Sequence, residues 1–162
     1  MSTRVGIGYD SHRFSAGRPL RLGGITVPHT HGLAGHSDGD VALHAVVDAL
    51  LGAAAIGDIG SFFPDDDPQW KGADSTSFVK KVVEALQQDC LAVQQVDVTI
   101  IAERPKLAEK IGAMRAATAK ALGVEMGAVS IKAKTNEGMG WIGRSEGIAA
   151  IAVATVMQAA TG

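Results

Sequence analysis

The sequence predicts a single α+β domain, residues 1–162, in which helices cover one side of a small mixed β-sheet. The length of 162 residues suits one domain of ordinary size. Several stretches have the apolar pattern of strands, and others have the apolar spacing of amphipathic helices. No repeat, linker or low-complexity tract divides the chain. Strands and helices are therefore expected to share one core.

Two extended segments and a loop are predicted before the first helix. Residues 4–10 alternate small and apolar side chains, as a strand does. Residues 20–28 read as a second extended segment that contains a Gly-Gly turn or bulge. Residues 29–40, with the sequence HTHGLAGHSDGD, are expected to form a loop.

The first helix is expected to begin near Asp38 and to run to about Ala55. Ser37 followed by Asp40 resembles a capping box, a pattern typical of helix N-termini. Residues 56–75 follow with several Gly, Pro and Asp and no periodicity. A loop of this length inside a compact domain is usually functional or mobile.

The next part of the chain alternates helix and strand. A second helix is predicted over residues 75–88, with a cap at Asp74 or Ser75. Its apolar face consists of Phe78, Val79, Val82, Val83 and Leu86. Residues 93–103 are expected to form a strand, and a third helix covers residues 105–123, where a glycine stops it.

The last part of the chain contains two more strands. Residues 129–135 alternate as a strand should, and residues 136–147 form a glycine-rich loop. Residues 148–160 are apolar on both faces, which is compatible with a helix or a strand. Their small and β-branched side chains favour a strand that is buried on both sides.

Composition excludes several classes of protein. The net charge of −2 and the absence of a basic run argue against a nucleic-acid-binding protein. Cys90 is the only cysteine, so an internal disulfide and a cysteine-based zinc site are excluded. The N-terminus lacks an apolar signal core, and no long uncharged apolar stretch is present. A cytoplasmic location is therefore expected.

A group of aspartates and histidines predicts a metal site. Asp10 and His12 lie two residues apart at the end of the first strand, so both side chains could point to one side. Asp40, His44 and Asp48 share one face of the first helix. Asp10, His12 and His44 suit zinc or a similar divalent ion with one position left open, and Asp48 could orient His44. The alternative is a set of caps and exposed histidines without a metal.

Two further clusters carry polar groups that could bind a ligand. Asp58 and the run Asp65, Asp66 and Asp67 could accept hydrogen bonds from polyol hydroxyls or hold a metal, unless they form only a solvated acidic turn.

The second of these clusters lies in the loop after residue 133. Lys134, Thr135 and Arg144 are donors suited to phosphate, and Glu137 could bind a hard cation such as Mg²⁺. An ordinary strand-loop-strand connection is the alternative.

Taken together, these segments resemble the 2-C-methyl-D-erythritol 2,4-cyclodiphosphate synthase family over nearly the whole chain. The resemblance rests on GIGYDSHRF, HSDGDVALHAVVDALLGAAAIGDIGSFFPD, VDVTIIAERPKL and KTNEGMGWIGRSEGIAAIAVA. It implies a phosphorus-oxygen lyase of non-mevalonate isoprenoid synthesis. In that reaction the 2-phosphate of a CDP-linked methylerythritol attacks the β-phosphate, and CMP leaves as a cyclic diphosphate forms.

The resemblance also implies roles for individual residues. Asp10, His12 and His44 match the zinc ligands, and Glu137 matches the ligand of a second cation, Mg²⁺ or Mn²⁺. His36 and Thr135 match positions that stabilise the transition state. Contacts to the methylerythritol phosphate are implied for Ser37, Asp58, Ile59, Gly60, Phe63, Pro64, Asp65, Asp66 and Asp67. Nucleotide and further ligand contacts are implied for Ala102, Pro105, Lys106, Leu107, Ala108, Lys134, Asn136, Trp141 and Arg144. Lys134, Asn136 and Trp141 differ from residues found in some members, which predicts altered ligand contacts.

Members of the family are homotrimers, and the resemblance therefore implies active sites between neighbouring subunits. It also implies a central cavity, lined by Arg144 and Glu146, that could hold an isoprenoid diphosphate. Two other functions remain compatible with the residues alone. One is a zinc-dependent phosphohydrolase, and the other is a non-catalytic protein that binds isoprenoid diphosphates.

Overall fold

A computed structural model describes residues 2–159 of the chain. Its strands are β1 (Thr3–Ser15), β2 (Leu20–Leu22), β3 (Ile25–Val27), β4 (Gly32–Leu33), β5 (Leu91–Ile101), β6 (Val129–Lys134) and β7 (Gly147–Gln158). Its helices are α1 (Val41–Ala54), α2 (Ile59–Phe62), α3 (Ser75–Gln88), α4 (Ile111–Leu122) and α5 (Gly140–Gly143). Short 3-10 turns lie at Pro68–Trp70, Ala108–Lys110 and Met126–Ala128.

Within residues 2–159, the main sheet has five strands in the order β4-β1-β7-β5-β6. All neighbours are antiparallel except β5 and β6, which run parallel. The mixed α+β fold predicted from the sequence is thus confirmed. The long pairing of β1 with β7 places Asp10 opposite Ala150 and His12 opposite Ile148. Strands β2 and β3 form a separate hairpin, whose turn is the Gly-Gly pair.

The two faces of the sheet differ. Ala150, Ala152 and Ala154 of β7 are fully buried on the face that α1 covers. On the opposite face Val5, Ile7 and Tyr9 of β1 are 65%, 70% and 57% exposed, and Ile151 and Val153 of β7 are exposed beside them. We call Val5, Ile7, Tyr9, Ile151 and Val153 the open face. The expectation that β7 is buried on both sides is therefore wrong for the single chain, because α1 covers only one face of the strand.

Glycines let α1 lie directly against β1. A Cβ atom at Gly8 would come within 1.9 Å of the Ala45 carbonyl oxygen, and one at Gly6 within 2.0 Å of the Ala49 carbonyl oxygen. No side chain fits between the strand and the helix at these positions. The backbone of α1 is therefore in contact with the strand that carries Asp10 and His12.

The start of α1 differs from the expectation. The helix begins at Val41 rather than near Asp38, and Asp40 is its N-cap, with a side chain that accepts a hydrogen bond from the Leu43 N–H. No capping box forms between Ser37 and Asp40. The reason is that the fully buried Asp40 carboxylate is also committed to the turn between β2 and β3, where it accepts from the N–H groups of Gly23 and Gly24.

Other elements also begin or end at residues that differ from the predicted ones. Strand β1 continues past residue 10 to Ser15, because β7 pairs with it as far as Arg13. The predicted loop 29–40 contains β4, which pairs with the end of β1. The predicted loop 56–75 contains α2 and a 3-10 turn.

The remaining elements agree with the sequence analysis. Helix α3 spans Ser75–Gln88 with Asp74 as its N-cap, and the third predicted helix ends at Gly123 in the left-handed conformation. Its α-helical part begins only at Ile111, after a 3-10 turn. The last predicted strand is β7, and its expected final residue, Ala160, lies outside the described residues. No helix among residues 2–159 is long and apolar enough to cross a membrane.

The contact between α1 and β1 can be tested with Gly8→Ala. The added methyl group meets helix backbone, so we expect a loss of about 3 kcal/mol of unfolding free energy, at the upper end of overpacking effects. Urea denaturation followed by circular dichroism measures the change.

Gly112→Ala is the matched control, because Gly112 lies in α4 with no atom within 4 Å of its added Cβ. We expect this variant to be unchanged or more stable by about 0.5–1 kcal/mol. Equal stability of the two variants would contradict the close packing of α1 on β1.

Candidate functional site

Two elements bring Asp10, His12 and His44 together. Asp10 and His12 lie on β1 with both side chains on the α1 side, and His44 lies in the first turn of α1. Asp10 Oδ2 is 2.9 Å from His12 Nε2 and 3.0 Å from His44 Nδ1. His12 Nε2 is 3.2 Å from His44 Nδ1. One oxygen and two nitrogen atoms therefore form a nearly equilateral triangle.

This triangle fits a divalent metal ion. Tetrahedral zinc bonded to nitrogen and oxygen at about 2.0–2.1 Å holds its ligand atoms about 3.3 Å apart. The three distances between the ligand atoms are close to that spacing. Within the part of the chain that the structure describes, these three residues form a group that could hold a metal ion. A three-ligand site also leaves a fourth position open for a ligand.

The electrostatics of the triangle favour a carboxylate next to imidazoles. Burial alone would raise the pKa of Asp10, but hydrogen bonds and charge from His12 and His44 outweigh it and lower the pKa to about 2. For His12, burial lowers the pKa, yet the Asp10 carboxylate outweighs burial and raises it overall. Asp10 is thus ionised at neutral pH, as a metal ligand requires.

Two serine hydroxyl groups contact His44 at the ring nitrogen that points away from Asp10 and His12. Its Nε2 lies 2.9 Å from Ser75 Oγ and 3.1 Å from Ser37 Oγ, and its ring stacks against Phe78 with 6.0 Å between the centroids. The expectation that Asp48 orients His44 is wrong. Asp48 turns instead toward α2, where its Oδ1 accepts from the Ile59 N–H at 3.1 Å.

A cleft of about 500 Å³ opens from the triangle. Of the predicted methylerythritol contacts, the residues that line it are Ser37, Ile59, Gly60, Phe63 and Asp65. His36 lines it too, with its Nε2 donating to the Asp67 carbonyl at 3.0 Å. Trp70 and Phe78 complete an aromatic wall that the sequence analysis did not include.

The other predicted contacts near this cleft have structural partners. Asp58 is the N-cap of α2 and forms a capping box with Ser61. Asp67 caps the following 3-10 turn by accepting from the Gln69 N–H. Pro64 and Asp66 lie in the same connection but do not line the cleft.

A second cleft, of about 570 Å³, lies at the end of the parallel pair β5 and β6. Predicted nucleotide contacts line it: Ala102, Pro105, Lys106, Leu107, Ala108 and Lys134. Thr135 lines it as well. Lys132, Ala133 and Ile111 contribute to its wall and were not predicted. It shares no lining residue with the first cleft.

Glu103 holds the turn after β6 in place, which the sequence analysis missed. Its Oε1 accepts from the Asn136 N–H at 2.8 Å and from the Gly138 N–H at 3.2 Å. Inside the turn, the Glu137 N–H donates to Thr135 Oγ1 at 3.2 Å. Thr135 and the exposed Glu137 are therefore fixed by a carboxylate from the end of β5. The only signal for this role in the sequence is the position of Glu103 between the predicted nucleotide contacts Ala102 and Pro105.

The remaining predicted residues lie elsewhere. Trp141 and Glu146 line a third cleft, of about 640 Å³, together with residues at the end of β1. Arg144 is exposed, and its Nε donates to Glu146 Oε2 at 2.7 Å. The third cleft shares Ser11, His12 and Arg13 with the first cleft, whereas the second cleft shares no lining residue with either of them.

Relatives that are more than half identical match this chain over nearly their whole length. The chain is 55% identical to the 2-C-methyl-D-erythritol 2,4-cyclodiphosphate synthase of Salinibacter ruber over 156 residues, which cover 96% of this chain and 99% of the relative. It is 54% identical to the enzyme of the same name from Bordetella petrii, with 96% of each chain covered.

Solved structures show the same fold. A 2C-methyl-D-erythritol-2,4-cyclodiphosphate synthase in a form bound to CDP superposes with a TM-score of 0.87 at 35% identity, covering 95% of this chain and 100% of that one. The bifunctional IspDF from Campylobacter jejuni superposes with a TM-score of 0.92 at 37% identity, covering 96% of this chain and 42% of that one. The sequence profile of the YgbB family matches residues 3–157. A profile match over nearly the whole chain, with relatives more than half identical along their length, shows that the chain belongs to the YgbB family.

Proposed function

We propose that this chain converts 4-diphosphocytidyl-2-C-methyl-D-erythritol 2-phosphate into 2-C-methyl-D-erythritol 2,4-cyclodiphosphate and CMP. The observation that carries the proposal is the Asp10, His12 and His44 triangle at the mouth of a cleft. The names of the relatives support the substrate, and so does the CDP-bound form of a similar structure.

Charge is the main obstacle to this reaction. Two unit negative charges about 4 Å apart repel by about 4 kcal/mol at an effective dielectric constant near 20. A phosphate that attacks a diphosphate involves several such pairs, and a protein with a net charge of −2 cannot offset them through its overall field. When bound, divalent ions at the triangle and at Glu137 supply Lewis-acid polarisation and charge neutralisation. No general base is needed, because the attacking phosphate is already anionic.

The chain's own residues orient the reacting groups. His36 donates from Nε2 to the Asp67 carbonyl, which fixes its ring beside the cleft. It can donate to a phosphate oxygen only through Nδ1, so this role needs the imidazolium form. Thr135 Oγ1 accepts from the Glu137 N–H, and its own hydroxyl proton remains available for an oxygen that gains charge.

The second cleft would hold the nucleotide. Its wall combines apolar groups such as Leu107 and Ala102 with the ammonium groups of Lys106 and Lys134. Such a wall suits a flat base next to phosphates. The Asn136 side chain already donates one amide N–H to the Met139 carbonyl at 2.9 Å, so its second N–H and its amide oxygen are left for the ligand.

We propose further that the whole 162-residue chain is one domain that assembles as a homotrimer, with the first cleft of one subunit facing the second cleft of its neighbour. Two observations support this arrangement: the open face consists of large apolar side chains, and the two clefts share no lining residue. The exposed Arg144 and Glu146 would line a central cavity with room for an isoprenoid diphosphate.

The reaction itself can be tested by product analysis. The purified protein is incubated with the CDP-linked substrate, Mg²⁺ and Zn²⁺ in ¹⁸O-labelled water and followed by phosphorus NMR. We expect CMP and a cyclic diphosphate without ¹⁸O. A zinc-dependent phosphohydrolase would release phosphate that contains ¹⁸O, and a non-catalytic binding protein would show no turnover.

The metal ligands can be tested with His44→Ala. We expect zinc content to fall from about one ion per chain to near zero and turnover to fall by at least about 100-fold, because losing a ligand costs more than losing one of its supporting groups. Metal analysis after gel filtration and a CMP-release assay provide the measurements. His31→Ala, at an exposed histidine, is the control, and full zinc content in His44→Ala would contradict the assignment.

The second cation can be tested with Glu137→Ala. Zinc content should stay unchanged, while the Mg²⁺ concentration for half-maximal activity rises by about tenfold or more, since one of very few protein carboxylates for that ion is gone. Glu125→Ala changes an exposed carboxylate before another turn and serves as the control. An identical Mg²⁺ titration for Glu137→Ala and the parent would rule out this role.

Sites between subunits can be tested by mixing two variants. His44→Ala damages only the first cleft and Thr135→Ala only the second, so a mixed trimer regains sites where two intact halves meet. In a randomly mixed trimer, each site has a chance of about one half of an intact first cleft and about one half of an intact second cleft. About a quarter of the sites then have both, which predicts about a quarter of parent activity. Each variant alone at equal total concentration is the control. No recovery in refolded mixtures would show that both halves come from one chain.

A further inference from the structure

A buried row of polar groups lies behind His44. Ser75 Oγ is 2.9 Å from His44 Nε2 and 2.5 Å from Asp38 Oδ1. Ser75 is fully buried at the first position of α3. The row therefore runs from a carboxylate through a hydroxyl to the ring nitrogen that points away from the metal triangle.

The hydrogen-bond partners decide the direction of each bond in this row. Asp38 is surrounded by donors: the Ser75 N–H on Oδ2, the Asp40 N–H on Oδ1, and the Arg21 guanidinium 3.8 Å away. A carboxylate accepts and does not donate, so the Ser75 hydroxyl gives its proton to Asp38. The Ser75 oxygen can then only accept from the neighbouring imidazole, which places a hydrogen on His44 Nε2.

From this row we infer that Asp38 and Ser75 are positioning residues that hold His44 in the Nε2–H tautomer, so that its Nδ1 lone pair faces the divalent ion. The inference rests on the metal site of the proposed function. It assigns a role to two residues that neither touch the ion nor line the cleft as ligands.

The row is needed because the other side of the ring favours the wrong tautomer. Asp10 Oδ2 lies 3.0 Å from His44 Nδ1 and would accept a proton from it. An imidazole with its hydrogen on Nδ1 cannot bind a metal there. The Ser75 oxygen offsets this attraction. It is a strong acceptor for a hydrogen on His44 Nε2, because its own proton is bonded to the Asp38 carboxylate.

Ser37 cannot take over this task. Its Oγ lies 3.1 Å from His44 Nε2 and accepts weakly from the Gly39 N–H at 3.4 Å. Among the described residues no other acceptor fixes its hydroxyl proton, so Ser37 can donate to Nε2 as readily as it can accept. Only the hydroxyl committed to Asp38 selects a tautomer.

Zinc affinity of the purified protein tests the inference, measured by competition with a chromophoric chelator. We expect Ser75→Ala to weaken zinc binding by about 10–100-fold, the usual effect of removing a partner of a metal-bound histidine. Asp38→Asn should weaken it similarly, because an amide can donate to Ser75 Oγ and turn the hydroxyl proton toward Nε2.

Ser77→Ala is the matched control. It removes a hydroxyl from the same turn of α3, where Ser77 donates to the Asp74 carbonyl and does not contact His44. Its zinc affinity should equal that of the parent. Circular dichroism establishes that each variant is folded.

NMR of the zinc-loaded, ¹⁵N-histidine-labelled parent gives a second test that needs no variant. We expect His44 to show a protonated Nε2 and a metal-bound Nδ1. A proton on Nδ1 would overturn the inference, whether or not Ser75→Ala folds.

The outcomes separate the two proposals. If the parent binds zinc and the zinc affinity of Ser75→Ala lies within about twofold of the parent's, the positioning role of Asp38 and Ser75 is contradicted, while the metal site is supported. If the parent binds no zinc, the metal site of the proposed function fails and the row's role fails with it.

Discussion

The direct contact between α1 and β1 is the constraint on which the metal triangle depends. Gly6 and Gly8 leave no side chain between strand and helix, so the helix backbone rests against the strand. That spacing brings His44 within hydrogen-bond distance of Asp10 on the strand. With ordinary side chains at the glycine positions, the helix would lie further out, and the three ligand atoms could not share an ion.

The aspartates around α1 explain how an apolar helix can carry so many polar groups. Asp40 is buried and joins the helix start to the β2–β3 turn through backbone N–H groups, and burial raises the pKa of its carboxyl group. Asp48 anchors α2, which forms a wall of the first cleft. Asp38 lies behind Ser75. Asp40 and Asp38 each accept hydrogen bonds from three donors, which is the condition under which buried polar groups are tolerated. The aspartates before and within α1 therefore support several different parts of the site.

Local periodicity in the sequence was enough to predict the main helices and strands. It could not predict the contacts between segments that are distant in the sequence. The α+β class, α3 with its Asp74 cap and the strand character of β7 follow from spacing that is local in the sequence. The grouping of Asp10, His12 and His44 was predictable because Asp-x-His on a strand and a histidine on a helix limit the possible geometries. The roles of Glu103 and Ser75 depend on tertiary contacts across 33 and 31 positions. The one-sided burial of β7 was missed because apolar composition cannot distinguish a core from a surface awaiting a partner.

The open face also has a consequence for the folding of the proposed homotrimer. Folding of one protomer leaves Val5, Ile7 and Tyr9 in water, so the proposed homotrimer would gain the hydrophobic free energy of this surface only on association. Newly made protomers at low concentration would expose this apolar β surface, and nonspecific aggregation would compete with correct pairing. The yield of native protein should then depend on how fast synthesis raises the local concentration of subunits. In the proposed homotrimer, assembly would be the last step of folding.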